Sequence, residues 1–454
     1  MSAVPNNIKI VGAPSQGLFG ATLGFFIGFA AVALFGTTAA KVKDLIGLSP
    51  LAVGFLVAMP SLSGSLLRIP FAAWVDTVGG RKPFLVLLGI SIAGMVGLTS
   101  VMFMLYPGGL TPAHTPLIFF LGLLSGCGIA TFSVGTGQVS YWFPKARQGG
   151  ALGTYAGVGN LAPGIFSFLL PLVLGWLGMA GAYLVWLIFL VIGTVLYYFL
   201  GRNAPYFQFR ARGINREQAV AAAKTYGQEM FPSGMIKESL LISARTWKTW
   251  PLVAIYFTTF GGFMALTSWL PTYWKSFLAV PVVTAGLFTA LYSILASLMR
   301  VAGGKIADRL GGERTILLAL VVTLIGSLMM VISASVGLSL TAVIVLAVGM
   351  GVSNAAVFKL VPQEVPRAVG GASGWVGGLG AFGGFTLPPL LGAIVAGQGQ
   401  PGYANGFLLF VLLGLLSFGL AVLLARTHTA EPKSMSTPQK SMEEQHAAGH
   451  PNAS

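Results

Sequence analysis

Arg68 and Arg300 are the residues of this chain best suited to holding an anion. Each sits inside an otherwise apolar stretch, and each carries the same local sequence around it. Ser61, Ser65, Leu66, Arg68, Asp76, Gly79 and Gly80 recur, at a constant offset of 232, as Ser293, Ser297, Leu298, Arg300, Asp308, Gly311 and Gly312. A guanidinium stays charged at any accessible pH, and its planar fork of N–H donors matches a planar oxyanion bidentately. Arginine at the centre of a membrane helix costs about 3 kcal/mol on insertion scales, so an intramembrane arginine is usually tied to function. A matched pair points to one symmetric site. The eleven acidic residues all fall in loops, tails or the ends of apolar stretches, which leaves no carboxylate at depth to neutralise either arginine.

The elements that position these arginines are membrane helices. With 55% hydrophobic and 8% charged residues and a mean hydropathy of +0.83, the chain cannot present the surface of a soluble protein, in which about a quarter of residues are charged. Apolar runs long enough to cross roughly 30 Å of hydrocarbon recur along nearly all of it. They predict an all-α polytopic membrane protein with twelve spans, near 17–40, 51–76, 84–105, 116–142, 149–176, 179–201, 251–275, 282–308, 315–335, 338–362, 368–396 and 403–426. The net charge of +15 does not point to nucleic acid. Most Lys and Arg residues fall on one side of the predicted layer, while the opposite loops hold only Lys41, Lys43 and Lys275. That bias is the positive-inside rule, and it places both termini in the cytoplasm of a cell membrane. A single cysteine, Cys127, excludes an intramolecular disulfide, and the first apolar run is too long for a cleavable signal.

Four regions are expected: a first half (1–201), a polar linker (202–250), a second half (251–426) and a disordered tail (427–454). The linker is rich in Arg, Lys and Glu, and two of its stretches suit helices lying along the membrane surface. His446 and His450 in the tail are four apart, but a solvated tail without a helix gives them no metal-binding geometry. A second repeat supports the halves: Gly149, Gly150, Ala151, Gly153, Gly157 and Gly159 match Gly370, Gly371, Ala372, Gly374, Gly378 and Gly380 at an offset of 221. Small residues every three or four positions give a helix a face that another backbone can approach closely, so most of these glycines are read as packing. Asn160 differs, because an amide deep in an apolar span needs a partner and can donate to a substrate oxygen.

Two six-span halves related along the membrane normal are the organisation of major facilitator transporters. The loops Asp76–Lys82 and Asp308–Arg314 resemble that superfamily's recurring loop motif. The segments Ala156–Ala162 and Gly377–Gly384, with the two arginines, resemble the nitrate/nitrite porter branch, as do Ala130–Ser133 ahead of Ser140–Lys145, and Ile255–Gly261. The resemblance implies that Arg68 and Arg300 bind the anion, that Phe132, Tyr256 and Phe260 line the site with Asn160, and that Gly157, Gly159, Gly378 and Gly380 are signature glycines. It implies nitrate and nitrite as substrates, no cofactor, no enzymatic activity and a monomer in the bilayer. Some relatives, chiefly exchangers, carry a lysine late in the eleventh span, where this chain reads Thr386–Leu390.

Exchange of nitrate for nitrite is slightly favoured over proton-coupled nitrate symport, since no titratable group sits at depth; a porter for another small anion is the remoter alternative. A proton-coupled drug or sugar transporter would be expected to show a carboxylate within a span. An enzyme would need a nucleophile and base or a metal cluster at depth, and all four histidines lie outside the spans. Lys359, close to the end of the tenth span, is read as snorkelling, and Asn354 as helix-packing glue.

Overall fold

The computed structural model describes residues 10–232, 236–365 and 368–430. Among these there is no β-strand, and the helices run up and down through one apolar layer. Four long helices open the chain: α1 Pro14–Ala33, α2 Pro50–Val78, α3 Arg81–Leu105 and α4 Pro112–Trp142. The next, Gly150–Leu200, has 51 residues, far more than the roughly 20 that one crossing needs. It turns at Gly178, whose φ of 69° lies in the left-handed region that glycine reaches without steric cost. This divides it into α5 (150–177) and α6 (179–200), where the sequence places its fifth and sixth spans. The second half follows as α7 Thr249–Ser276, α8 Val282–Leu310, α9 Gly312–Val331, α10 Val336–Glu364, α11 Val369–Gln398 and α12 Gly402–Thr427. Twelve crossings bring both ends of the chain to one side, the terminal face; the other is the far face.

Helix pairs α2·α11 and α5·α8 join the halves, and glycines set their approach. A Cβ on Gly54 of α2 would collide with the Pro388 carbonyl of α11, and one on Gly286 of α8 with the Ser167 carbonyl of α5. Gly54 and Gly286 are related by the offset of 232, Ser167 and Pro388 by the offset of 221. The two repeats therefore close on each other symmetrically near the far face. At the terminal face, Asp76 accepts a hydrogen bond from the Tyr141 hydroxyl, whereas its repeat Asp308 pairs with Lys359 at 2.7 Å. Lys359 thus turns toward the terminal face, as snorkelling requires.

Three short helices fill the segment between the halves: Pro205–Ala211, Arg216–Thr225 and Ile236–Arg245. The last two fall in the stretches read as surface helices, and the first has no signal beyond Pro205 at its first position. Helix α12 continues to Ala430. The rest of the tail, with His446 and His450, lies outside the described residues.

Candidate functional site

Arg68 lies ten residues before the end of α2 and Arg300 ten residues before the end of α8, so each is about 15 Å of helical rise inside the terminal face. Locally the helices differ. Pro70 has no N–H to offer the Leu66 carbonyl, and α2 breaks at Leu67 into Pro50–Leu66 and Arg68–Val78. The equivalent position in α8 is Ala302, and α8 runs unbroken. Arg68 is fully buried and Arg300 is 8% exposed.

The two guanidiniums meet over one pair of rings. The Arg68 Cζ lies 4.9 Å from the Phe132 centroid and 5.2 Å from Phe260, and the Arg300 Cζ lies 5.5 and 5.3 Å from the same two. Phe132 and Phe260 are 6.1 Å apart with planes 30° from parallel. Tyr256 stacks on Phe260 at 4.7 Å, and its ring is 6.0 Å from the Arg300 Cζ. Phe358 of α10 adds a further wall, 5.8 Å from the Arg300 Cζ. These rings are held by local devices. The Tyr155 hydroxyl donates to the Thr131 and Phe132 carbonyls, and a π-helical turn at Phe257–Gly261 interrupts α7 where Phe260 must face inward.

The hydrogen-bonding capacity of this cluster is largely unspent. Arg68 Nη1 donates to the Gly377 carbonyl of α11 at 3.0 Å, while its Nε and Nη2, the Arg300 Nη1 and the Tyr256 hydroxyl are buried without a hydrogen-bond partner. No carboxylate pairs with either arginine among the described residues. Cation–ring attraction offsets part of the desolvation of these charges, by about 2 kcal/mol for a buried pair.

Comparison with known proteins gives this geometry a family. The Major Facilitator Superfamily pattern matches residues 21–388. A "probable nitrate/nitrite antiporter" of Thermus thermophilus is 31% identical over 434 residues, covering 87% of this chain and 88% of that one. The chain belongs to the nitrate/nitrite porter family of the major facilitator superfamily. A "nitrite extrusion protein" of Bacillus subtilis is 27% identical and covers 90% of this porter and 95% of itself. The xylose transporter of E. coli, solved in a partially occluded inward-open conformation, superposes with a TM-score of 0.70 over 91% of the porter and 97% of that chain. At 15% identity that is a likeness of fold.

Within the porter, the remaining predicted residues surround the cluster rather than all entering it. The chain breaks from helix at Asn160 and Leu161 because Pro163 cannot donate to the Gly159 carbonyl. The buried Asn160 Oδ1 has no partner, and the Asn160 carbonyl accepts from Ser297, one turn before Arg300. The signature glycines back the arginine-bearing helices: a Cβ on Gly157 would stand 2.6 Å from Val301, and one on Gly378 2.8 Å from Ile69, the neighbours of Arg300 and Arg68. Gly159 abuts Phe25 of α1, and Gly380 abuts Tyr256 of α7. Asn354 is buried with its Oδ1 unpartnered.

Sequence reading missed three rings. Phe25 and Phe29 of α1 stand at an offset of 231 from Tyr256 and Phe260, a repeat that would have found them. Phe29 stacks at 6.2 Å on Phe260, and Phe25 lies 5.2 Å from Phe132. Phe358 has no comparable signal, since Phe in a span is ordinarily packing.

Proposed function

We propose that this porter carries nitrate and nitrite across the bacterial cell membrane by alternating access, with the anion held between Arg68 and Arg300 and its faces against Phe132 and Phe260. One observation carries the reading: two buried guanidiniums address the same pair of rings with unused N–H donors and no carboxylate partner. The free Arg68 Nε and Nη2, the Arg300 Nη1 and the Tyr256 hydroxyl supply enough donors for the oxygens of a flat trigonal or bent anion. Two van der Waals contacts of about 3.5 Å each require roughly 7 Å between rings. The rings, now 6.1 Å apart, therefore spread by about an ångström as the anion enters. Bulky or cationic solutes are rejected by size and by charge. The excess of Lys and Arg in the loops on the side of the termini supports a cytoplasmic position for both ends.

Coupling follows from the same charges. A buried ion without compensation costs several kcal/mol, so the empty carrier crosses its occluded state slowly and the loaded carrier quickly. Exchange of nitrate for nitrite is the expected mode. Proteoliposomes preloaded with nitrite or nitrate should take up external nitrate at least tenfold faster than empty ones, with little effect of an imposed proton gradient. Accumulation in empty liposomes in proportion to the proton gradient would replace exchange by proton symport. Indifference of uptake to both nitrate and nitrite would remove the substrate assignment itself.

A further inference from the structure

Outside the spans, the described residues leave few large apolar side chains exposed, and three of them, Leu241, Ile242 and Trp247, fall within seven positions. Leu241 and Ile242 lie on helix Ile236–Arg245, flanked on its outward side by exposed Lys237, Glu238 and Arg245; Trp247 follows, and Trp250 is exposed in the first turn of α7. The inward side is fastened to the terminal end of α11. Gly371 N donates to the Ser239 Oγ at 3.0 Å, and the Trp375 indole donates to the Leu240 carbonyl at 3.0 Å. Lys248, just after the helix, pairs with buried Glu364 of α10 at 2.9 Å. These ties fix the depth of the helix at the first turns of α11 and α7, level with the membrane surface. They also secure the same rod, α11, whose Gly377 carbonyl reaches Arg68.

We propose that helix Ile236–Arg245 is a docking surface for anionic phospholipid, with Leu241, Ile242 and Trp247 in the headgroup layer and Lys237 and Arg245 against lipid phosphates. An exposed apolar strip with basic flanks and tryptophans at interface depth is the composition that binds a headgroup layer in plane. The lipid is anionic because the outward face carries two cations, Lys237 and Arg245, to one carboxylate, Glu238. Each basic side chain near such a surface contributes about a fivefold preference.

The test uses the full chain with Cys127→Ser and Ile242→Cys carrying an environment-sensitive fluorophore, reconstituted in vesicles doped with brominated phosphatidylglycerol or, at equal mole fraction, brominated phosphatidylcholine. Blue-shifted emission, quenched several-fold more by phosphatidylglycerol, is expected, and the same label at Lys224→Cys should report water. Lys237→Gln and Arg245→Gln should each lower the phosphatidylglycerol preference about fivefold. Phosphatidylglycerol should also raise the unfolding temperature of the unlabelled wild type more than that of the double variant. Equal quenching by both lipids would overturn the charge-specific docking. Water-like emission at position 242 would overturn the interfacial placement and turn the strip into a surface for a soluble partner.

Discussion

In the first half of the porter Arg68 sits just past a helix break, fully buried, with one N–H already bonded to the Gly377 carbonyl of the second half. In the second half Arg300 sits on an unbroken helix, is slightly exposed, and faces four rings with Nη1 unpartnered. The surroundings diverge in the same sense elsewhere. Asn160 in α5 corresponds to Ala381 in α11, and Asp76 is bonded by a tyrosine hydroxyl where Asp308 is paired with a lysine. A duplicated motif thus supplies equal charge at equal depth, and the unequal shells divide the work. Arg68 is tied across the interface between halves, so its geometry changes when they rock. In the proposed reading both arginines keep unpartnered N–H groups for the anion, Arg68 its Nε and Nη2 and Arg300 its Nη1, and Arg68 is in addition held by the Gly377 carbonyl.

The largest effect that can break this division comes from replacing the fork while keeping the charge. Arg68→Lys and Arg300→Lys should each lower nitrate transport by roughly ten- to a hundredfold, the equivalent of the about 1.5–3 kcal/mol carried by a hydrogen bond to a charged group. Membrane expression should be retained. The two should part on closer inspection: Arg300→Lys mainly weakens anion binding, measured on purified protein by ligand-dependent thermal shift, while Arg68→Lys also slows turnover at saturating nitrate. Identical binding and turnover profiles would mean that the Gly377 bond has no part in the cycle.

A second comparison sets the glycines at mid-depth against those near the far face. At Gly157 and Gly378 an added Cβ meets the side chains Val301 and Ile69, which can yield somewhat, whereas at Gly54 and Gly286 it meets the Pro388 and Ser167 carbonyls, which cannot. Alanine should therefore be milder at 157 and 378 than at 54 and 286, where overpacking costs about 1–3 kcal/mol and opens the far-face closure. Leucine at 157 or 378 should abolish uptake. Thermal unfolding of the purified variants and cysteine accessibility from the far face check the ranking, and a reversed order would put the tighter closure at mid-depth.

Much of this was readable without coordinates, for definite reasons. Spans are set by length and apolarity, so even the division of Gly150–Leu200 at Gly178 falls where hydropathy and glycine place it. Arg68 and Arg300 were legible because a charge in an apolar span is conspicuous and a repeat fixes its symmetry mate, whereas Phe132, Tyr256 and Phe260 followed only from the family resemblance. Phe358 could not be found this way. In a bilayer both faces of a span are apolar, so the pattern that tells inside from outside in a water-soluble helix is missing. The helix Pro205–Ala211 was missed because seven residues carry too little periodicity to register.

The smallest expected effect tests whether the break beside Arg68 is part of the mechanism. Proline within a helix removes one backbone hydrogen bond and costs about 3 kcal/mol in an interior position, yet Pro70 lies on the exposed side of α2, where its ring clears the packing between halves. Pro70→Ala restores a donor to the Leu66 carbonyl and makes α2 resemble α8, whose Ala302 occupies the same place. Stability should rise by about 1 kcal/mol or less, since the native fold has already adapted to the break. Turnover should fall about two- to threefold, because a continuous helix holds Arg68 to one direction while Gly377 moves past it. The reverse exchange, Ala302→Pro, should cost about 3 kcal/mol and displace Arg300. Unchanged turnover in Pro70→Ala, alongside the expected gain in stability, would make the break an accommodation at the lipid surface and leave the Gly377 bond as the feature that separates the two arginines.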